Sequence, residues 1–403
     1  MTKKRWLSLL TAGILLLATA CGTAPQTEES GSGSPDEGET DALTEWEAAA
    51  DIFNTQQTDE ELYELAKEEG SVTIYSISSR CGKVAEAFNA KYPGVVCTAF
   101  DVDGSELMEK VSREYEAGQY VADVVHYKDQ DGSIYAEYVT PGIFYNYRPD
   151  DILAHIDEKY KETSTPFYIE MTQLFYNGEA YPDEPPITNI WEVTQPQWKG
   201  KVMMQNILED LAWASWATGF CVGDAPAMLE EAYEELTGEP LVLSEGCENA
   251  GYEFLKRLYE NDPIFVGSSD EIAEGVGYPG QEDPPVGFAS STKLRKNQDN
   301  GWCLVPINLE PTVGIPQINS LYIVNNCQHP NAAKLLVRFI MGGMDGDTSG
   351  NDPFNTLGGW PVRDDITPAE GSIPLEEWNL LQVDTSDIYY NINNVRDFWT
   401  LLG

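Results

Sequence analysis

The stretch SVTIYSISSRCGKVAEAFNAKYPGVVCTAFDV (71–102) decides the fold of this 403-residue chain. Its first residues, SVTIYSI (71–77), are apolar and β-branched, as in a buried strand. A helical segment at 83–91 follows and ends at Pro93-Gly94, and the apolar run VVCTAFDV (95–102) predicts a second strand. A strand, a helix and another strand of these lengths predict a parallel pair joined by a crossover connection.

The same alternation continues outward on both sides. DEELYELAKEEG (59–70) predicts a preceding helix that ends at its glycine, and Ser105 is a candidate N-cap for a helix at 106–117. VADVVHY (121–127) predicts a third strand. Ligands on such sheets bind beyond the carboxyl ends of the strands. We therefore expect binding residues in the loops 76–80, 103–105 and 127–131.

The remainder of the chain predicts a second set of elements. Helices are predicted near 209–219, 226–236 and 247–260 and from Pro330 onward, and strands at 285–290, 302–307 and 320–325. About 345 residues follow the N-terminal region, which is more than one core usually covers, so two lobes are expected.

The N-terminal region has the features of a processing signal and a tether. Basic residues at 3–5 precede a short apolar run, 7–17, and small residues lead to Cys21. This arrangement resembles the lipobox of bacterial lipoproteins, in which that cysteine is acylated; an ordinary signal peptide is the alternative. Residues 1–20 are thus expected to be removed, and 21–58, rich in Gly, Ser, Thr and acidic residues, to form a disordered tether. We expect lipid anchoring on the outer face of a bacterial cell membrane.

The net charge of −43 constrains the partners of this protein. So acidic a surface repels nucleic acid, which we exclude as a partner. It is typical of a highly soluble cell-surface protein or of a protein from a saline or alkaline habitat. Separately, we expect a monomer.

Six cysteines remain after Cys21, an even number on the oxidising side of a membrane. We expect three disulfides between neighbours in the sequence. The expected pairs are Cys81–Cys97, Cys221–Cys247 and Cys303–Cys327. A zinc site is the alternative, but the chain has no C-x-x-C motif and only three scattered histidines.

Six segments resemble, in the right order, the bacterial ABC-importer solute-binding proteins. They are ELAKEEGSVTIYS (64–76), KVAEAFNAKYPGV (83–95), TPFYIEMTQLFYN (165–177), WEVTQPQWKGKV (191–202), SLYIVNNCQHPNAAKLLVRFI (320–340) and GWPVRDDI (359–366). The resemblance implies an α/β, two-lobed fold of the periplasmic-binding-protein type II class, with two hinge crossings and a ligand cleft between the lobes. It implies a first lobe of 59–170 plus 320–365, a second lobe of 171–319, and a C-terminal segment, 366–403, that packs back on the lobes.

The branch that the sequence resembles includes carriers of ferric iron, polyamines, thiamine and phosphonates. Its iron-binding members use adjacent tyrosines from the second lobe. The corresponding stretch here, PVGFASSTKLRK (285–296), has no tyrosine pair, which argues against ferric iron. The resemblance implies a small-molecule ligand, delivery to an ABC permease and ATPase, and no resident cofactor or metal.

Candidate ligand-binding residues come from both predicted lobes, and capping or packing is the alternative role for each. Hydroxyls and a guanidinium after the first strand suit an anionic group, whereas carboxylates beside Trp213 and Trp216 suit a cationic amine. The first-lobe candidates are Ser76, Ser78, Ser79, Arg80, Asp103, Ser105 and Tyr127, and those of the second lobe or the crossings are Tyr176, Asn206, Glu209, Asp210, Ser290, Trp360 and Arg363.

Two other functions stay open at the level of sequence. A surface sensor that presents bound solute to a receptor kinase would have the same fold. A secreted hydrolase with paired carboxylates is the enzymatic alternative, but 67 acidic residues make such pairs unavoidable. The chain lacks the H-E-x-x-H, G-x-S-x-G and P-loop motifs, so we predict a binding protein rather than an enzyme.

Overall fold

The structure is a computed structural model that describes residues 53–403, which belong to one compact unit. The expected signal peptide, Cys21 and most of the tether lie outside the described residues. No helix in 53–403 is long and apolar enough to cross a membrane.

The first lobe is built on the strand–helix alternation that the sequence predicts. Its N-terminal helix starts at a capping box formed by Thr58 and Glu61 and ends at Gly70, whose φ of 77° is a left-handed conformation that suits glycine. The elements are α1 Asp59–Glu69, β1 Ser71–Ser76, α2 Cys81–Lys91, β2 Val96–Asp101, α3 Gly104–Glu116, β3 Val124–Lys128, a π-helical turn Tyr135–Val139, β4 Phe144–Tyr145, α4 Asp150–Leu153 and α5 Glu158–Lys161.

The second lobe begins on the longest strand. Its elements are β5 Pro166–Asn177, short 3₁₀ helices at Ile190–Thr194 and Pro196–Trp198, β6 Val202–Met204, α6 Leu211–Gly219, α7 Ala225–Thr237, α8 Ala250–Glu260, β7 Ile264–Phe265, α9 Ser269–Gly277, β8 Val286–Ser290, a 3₁₀ helix Ser291–Arg295, α10 Lys296–Asn300 and β9 Leu304–Pro306.

The chain then crosses back and ends on a long helix. These last elements are β10 Pro316–Val324, α11 Pro330–Ile340, β11 Trp360–Pro361, a 3₁₀ helix Leu375–Glu377 and α12 Thr385–Leu402. Val395 and Trp399 of α12 are buried in the core of the second lobe, so the C-terminal segment returns to that lobe.

One sheet connects both lobes, in the strand order β2-β1-β3-β10-β5-β8-β6-β7. The predicted parallel pairing holds for β1 with β2 and for β1 with β3. The sheet is not parallel throughout, because β10 and β5 pair antiparallel to their neighbours. These two strands cross between the lobes instead of being joined by a crossover helix.

Two hydrophobic cores define the lobes, and they meet on β5. Ile169 is buried in the first core and Met171 in the second. On the return crossing, Val313 belongs to the second core and Leu321 to the first. The hinge region therefore lies at the middle of β5 and the beginning of β10.

The expected disulfides are not present, since all six cysteines of the described chain are free thiols. Cys81 begins α2, whereas Cys97 is hydrogen-bonded through its backbone to Asn89 near the other end of that helix. The structure holds both as free thiols, Cys81 at the beginning of α2 and Cys97 within β2.

The other two expected pairs also fail in the structure. Cys303 is bonded through its backbone to Gly178 in the second lobe, whereas Cys327 is buried in the first core. Cys221 and Cys247 both lie in the second lobe, where Asn249 donates its amide to the Cys221 carbonyl. The structure nevertheless holds both as free thiols, and burial raises the pKa of Cys247 to about 11.

Candidate functional site

A cavity of about 590 Å³ lies between the two lobes, beyond the carboxyl ends of β1, β2 and β3. Sites for small molecules typically have volumes of about 300–1,000 Å³. The first lobe contributes Ile77, Asp101, Val102, Asp103, Gly104, Tyr127, Lys128, Gln130 and Asp131, and the second contributes Glu209, Asp210, Leu211, Ala212 and Ser215. We call this space the interlobe cavity.

On the first lobe, Asp103 and Tyr127 lie at the positions where β2 and β3 end. The Asp103 carbonyl accepts the first hydrogen bond of α3, so the carboxylate is held at the beginning of that helix. Gly104 follows, and a Cβ atom there would lie 3.3 Å from the Tyr127 hydroxyl. Glycine thus lets the tyrosine ring approach the backbone at the cavity wall.

On the second lobe, the cavity wall is the beginning of α6. The Asp210 carboxylate accepts hydrogen bonds from the backbone N–H groups of Ala212 (2.7 Å) and Trp213 (3.2 Å), which makes it the N-cap of this helix. Glu209 precedes it and is exposed. The cap fixes the Asp210 carboxylate at the edge of the cavity.

The carboxylates of both lobes surround the Tyr127 hydroxyl. Burial raises the pKa of Tyr127 well above its usual range, and Asp131, Asp210 and Asp103 raise it further. The phenol therefore stays neutral, and Tyr127 presents an uncharged aromatic ring in an acidic environment.

A smaller pocket of about 50 Å³ continues from the interlobe cavity toward the hinge and shares Gln130, Ala212 and Ser215 with it. Trp216 also lines this inner pocket and is only 3% exposed. Its indole nitrogen and both polar atoms of the Gln130 amide are buried without a hydrogen-bond partner among the residues described. Buried polar groups normally have partners.

Three charged residues and a tyrosine lie beside the hinge, and we call Arg80, Lys128, Tyr168 and Glu170 the hinge charge cluster. Lys128 Nζ is 2.8 Å from Glu170 Oε1, and Arg80 donates to the Tyr168 hydroxyl at 2.8 Å and lies 3.7 Å from Glu170. Burial raises the pKa of Glu170, but the charges of Lys128 and Arg80 outweigh it and lower that pKa to about 2.

Four of the predicted ligand-binding residues, Asp103, Tyr127, Glu209 and Asp210, come together on the interlobe cavity. The others of the first lobe lie outside its lining. The Ser76 hydroxyl is fully buried and bonds to His126 Nδ1 at 2.8 Å, and Ser78 accepts from Arg80 Nε. Ser79 is exposed, and Ser105 falls within α3, because the helix begins at Gly104 rather than at 106.

The remaining candidates have structural partners away from the cavity. Tyr176 is buried in the second core, and Asn206 accepts from the Leu208 backbone in a turn. Ser290 bonds to the Thr292 hydroxyl. Trp360 donates to the Ile373 carbonyl, and the Arg363 guanidinium binds the carboxylate of Asp365 and the carbonyls that follow α11.

Sequence reasoning missed several residues that line the cavity. Asp101, Lys128, Gln130, Asp131 and Ser215 line it but are not among the residues predicted from the sequence. Lys128 ends β3, and Gln130 and Asp131 follow it; all three lie in the stretch 127–131, where the strand pattern predicts binding residues. Ser215 lies inside α6 and carries no such signal.

A second cavity of about 690 Å³ lies elsewhere, beside β11, and includes His155, Asp364 and Trp378. His155, Asp364 and Asp365 are close enough together to hold one cation. However, Asp364 is exposed and Asp365 already forms a two-pronged ion pair with Arg363. We therefore place the candidate site in the interlobe cavity, where both lobes contribute.

Comparison with known proteins gives structural relatives only. No protein-family model matches the sequence, and no curated protein matches it closely enough to count as a relative. Iron-bound HitA from Pseudomonas aeruginosa is 13% identical, with a TM-score of 0.63 over 83% of this chain and 99% of its own.

Two further solved structures show the same similarity. The ferric binding protein from Campylobacter jejuni is 16% identical, with a TM-score of 0.59 over 82% of this chain and 99% of its own. The periplasmic binding protein AfuA from Actinobacillus pleuropneumoniae, solved with fructose-6-phosphate, is 18% identical. Its TM-score is 0.57, over 82% of this chain and 96% of its own. This chain therefore has the two-lobed α/β fold of the periplasmic binding proteins.

Proposed function

We propose that this chain is the lipid-anchored substrate-binding component of an ABC importer, which captures a small solute and delivers it to a permease and ATPase complex. The observation that carries this proposal is the interlobe cavity, whose wall is divided between the two lobes. The structural relatives are binding proteins with the same fold.

Closure of the lobes over the solute is the mechanism that the geometry favours. The two cores meet on β5 and on the return crossing to β10, so the lobes can rotate about these segments. A solute that contacts Asp103 and Tyr127 on one lobe and Asp210 on the other binds the closed form more tightly. That difference in affinity is what shifts the population toward closure.

Membrane anchoring through Cys21 completes the proposal. Attachment at this position would keep the folded part beside the membrane, where it can both capture solute and dock on a membrane partner. Labelling with a radioactive fatty acid should mark the wild-type chain but not Cys21→Ser, whereas equal labelling of both, or of neither, would contradict lipid anchoring through Cys21.

The binding function is tested by recovering the solute. Native mass spectrometry of freshly purified protein should show a co-purifying small molecule. At about 100 times its dissociation constant this solute should add about 2.7 kcal/mol to the free energy of unfolding. Small-angle scattering should show a smaller radius of gyration with the solute bound.

A variant that fills the cavity provides the control. Ala212 lines both the interlobe cavity and the inner pocket, so Ala212→Trp should abolish retention of the solute. Ala227→Trp, on the exposed side of α7, makes the same change away from the cavity and should retain it. Retention by both variants, or an identical scattering profile with and without solute, would contradict capture between the lobes.

A further inference from the structure

We propose that the first two turns of α12 hold the two lobes together on the side of the interlobe cavity. We call these turns, residues 385–392, the latch. The inference rests on the proposed binding function, because it names the part of the chain that sets how readily the lobes close over a solute.

The remainder of α12 belongs to the second lobe. Val395 and Trp399 are buried in the second core, and the Trp399 ring packs edge-on against that of Tyr259 of α8, with 5.1 Å between the ring centroids. Arg396 donates to the Leu208 carbonyl at 3.3 Å. These contacts follow the latch along one continuous helix, so the latch moves with the second lobe.

The latch contacts the first lobe at two places. The Tyr389 hydroxyl donates to Glu137 Oε1 at 3.0 Å, and Glu137 belongs to the π-helical turn of the first lobe. Gly132 lies against the beginning of the latch, since a Cβ atom there would be 3.1 Å from the Thr385 carbonyl oxygen. This close approach and the φ of 77° at Gly132 both suit glycine. A backbone contact and a side-chain hydrogen bond therefore join the latch to the first lobe.

The segment that the latch contacts belongs to both the first core and the cavity wall. Ile134 lies between the two contact points and is buried in the first core. Asp129 accepts hydrogen bonds from the backbone N–H groups of Ile134 and Tyr135, which holds the segment to the end of β3. Asp131, which precedes Gly132, lines the interlobe cavity. A lobe movement that changes the width of the cavity therefore also changes the distance between this segment and the latch.

The latch lies on the cavity side of the crossing strands. Thr385 lines the inner pocket together with Gln130 of the first lobe and Ala212 of the second. Because this pocket continues from the interlobe cavity, the latch and the cavity face the same side of the hinge. Contacts on that side favour the closed form. They join protein groups only, so they reduce the difference in affinity that a solute must supply to close the lobes.

Reversal of charge at the latch tests this role. Tyr389→Glu places a second carboxylate against Glu137, and the repulsion should raise the ratio of open to closed molecules about 5-fold. The double variant Tyr389→Glu with Glu137→Lys brings opposite charges together at the same place and should restore the wild-type ratio. Tyr390→Glu adds the same charge one residue further on, at a side chain that is 76% exposed, and should leave the ratio unchanged.

Pulsed electron–electron double resonance on the full chain, stripped of co-purifying solute, measures the separation of the lobes. Spin labels are attached through a ketone-bearing unnatural amino acid at Ala90 of the first lobe and Ala227 of the second, which are both exposed. This chemistry leaves the free cysteines unlabelled. We expect longer distances between the labels in Tyr389→Glu and the wild-type distribution in the double variant and in Tyr390→Glu. Tyr389→Phe, which removes only the hydroxyl, should shift the distribution in the same direction by a smaller amount.

The outcomes decide the latch separately from the binding function. Unchanged or shorter distances in Tyr389→Glu and Tyr389→Phe overturn the latch, and so does a double variant that stays as open as Tyr389→Glu. Equal lengthening in Tyr390→Glu also overturns it, because the effect would then come from net charge. The distances are measured without added solute, whereas the binding function stands or falls on recovery of a co-purifying solute.

Discussion

The hinge charge cluster and the interlobe cavity are neighbouring regions that differ in how their charges are balanced. In the cluster, Glu170 is buried but lies 2.8 Å from Lys128 and 3.7 Å from Arg80, so its charge is balanced within the protein. In the cavity, five carboxylates share a wall with one lysine, and that lysine belongs to the cluster.

The difference separates structural charges from charges that are available to a ligand. Glu170 forms buried ion pairs with Lys128 and Arg80 beside the hinge. Removal of one partner would leave an uncompensated charge in the protein interior. Carboxylates at a cavity wall face space that a solute can enter, so they can contact a ligand directly. We therefore expect substitutions in the cluster to change stability and substitutions in the cavity to change affinity.

Glu170→Gln should have the largest effect on stability. It keeps the shape of the side chain but leaves Lys128 and Arg80 without their anion, so the free energy of unfolding should fall by about 3 kcal/mol. Urea denaturation measures this loss. Glu209→Gln, the same substitution on the cavity wall, is the matched control and should change stability by less than about 0.5 kcal/mol. Similar losses in both variants would remove the distinction between the two regions.

Asp129 lies between the hinge charge cluster and the interlobe cavity, and its substitution should have the next largest effect on stability. It lines the inner pocket and accepts hydrogen bonds from the backbone N–H groups of Ile134 and Tyr135. Burial raises its pKa to about 6, so the folded chain favours the neutral carboxyl group. The neutral Asp129 carboxyl group therefore stabilises the folded chain. This stabilisation is fully present below about pH 3.9, the pKa of an aspartate in the unfolded chain, and is lost as the pH rises through about 6.

The free energy of unfolding of Asp129→Asn, measured by urea denaturation at several pH values, tests whether Asp129 stabilises the fold at low pH. Between pH 7 and pH 4 the wild-type chain should gain about 2 kcal/mol relative to the variant, which has no group to protonate there. Asp299→Asn, at an exposed position, should follow the wild type throughout. Parallel curves for wild type and Asp129→Asn would show that Asp129 is ionised at ordinary pH.

The sequence predicted the local elements well because they depend on neighbouring residues. The helix that ends at Gly70 and the strands β1 and β2 follow from apolar spacing and turn residues within a few positions of each other. The same pattern marked the carboxyl ends of the strands, and Asp103 and Tyr127 of the cavity lie there.

The hinge could not be predicted in this way, because it depends on contacts between distant parts of the chain. Lys128 meets Glu170 across 42 positions and Gln317 across 189. A glutamate in the apolar run 166–177 was a visible signal, but its partners come from other strands. The cysteine pairs failed for the same reason, since proximity in sequence placed Cys81 and Cys97 near opposite ends of one helix.

The smallest expected change in stability is at Asp210, and it tests whether this residue both stabilises the fold and binds the ligand. Asp210 lines the cavity and also caps α6 through the N–H groups of Ala212 and Trp213. Asp210→Ala removes cap and charge and should lower the free energy of unfolding by about 1 kcal/mol, whereas Asp210→Asn keeps a capping oxygen and should lose only a few tenths. Both variants should weaken binding of the co-purifying solute, because both remove the carboxylate from the cavity wall. If Asp210→Asn binds this solute like the wild type, Asp210 acts only as a cap.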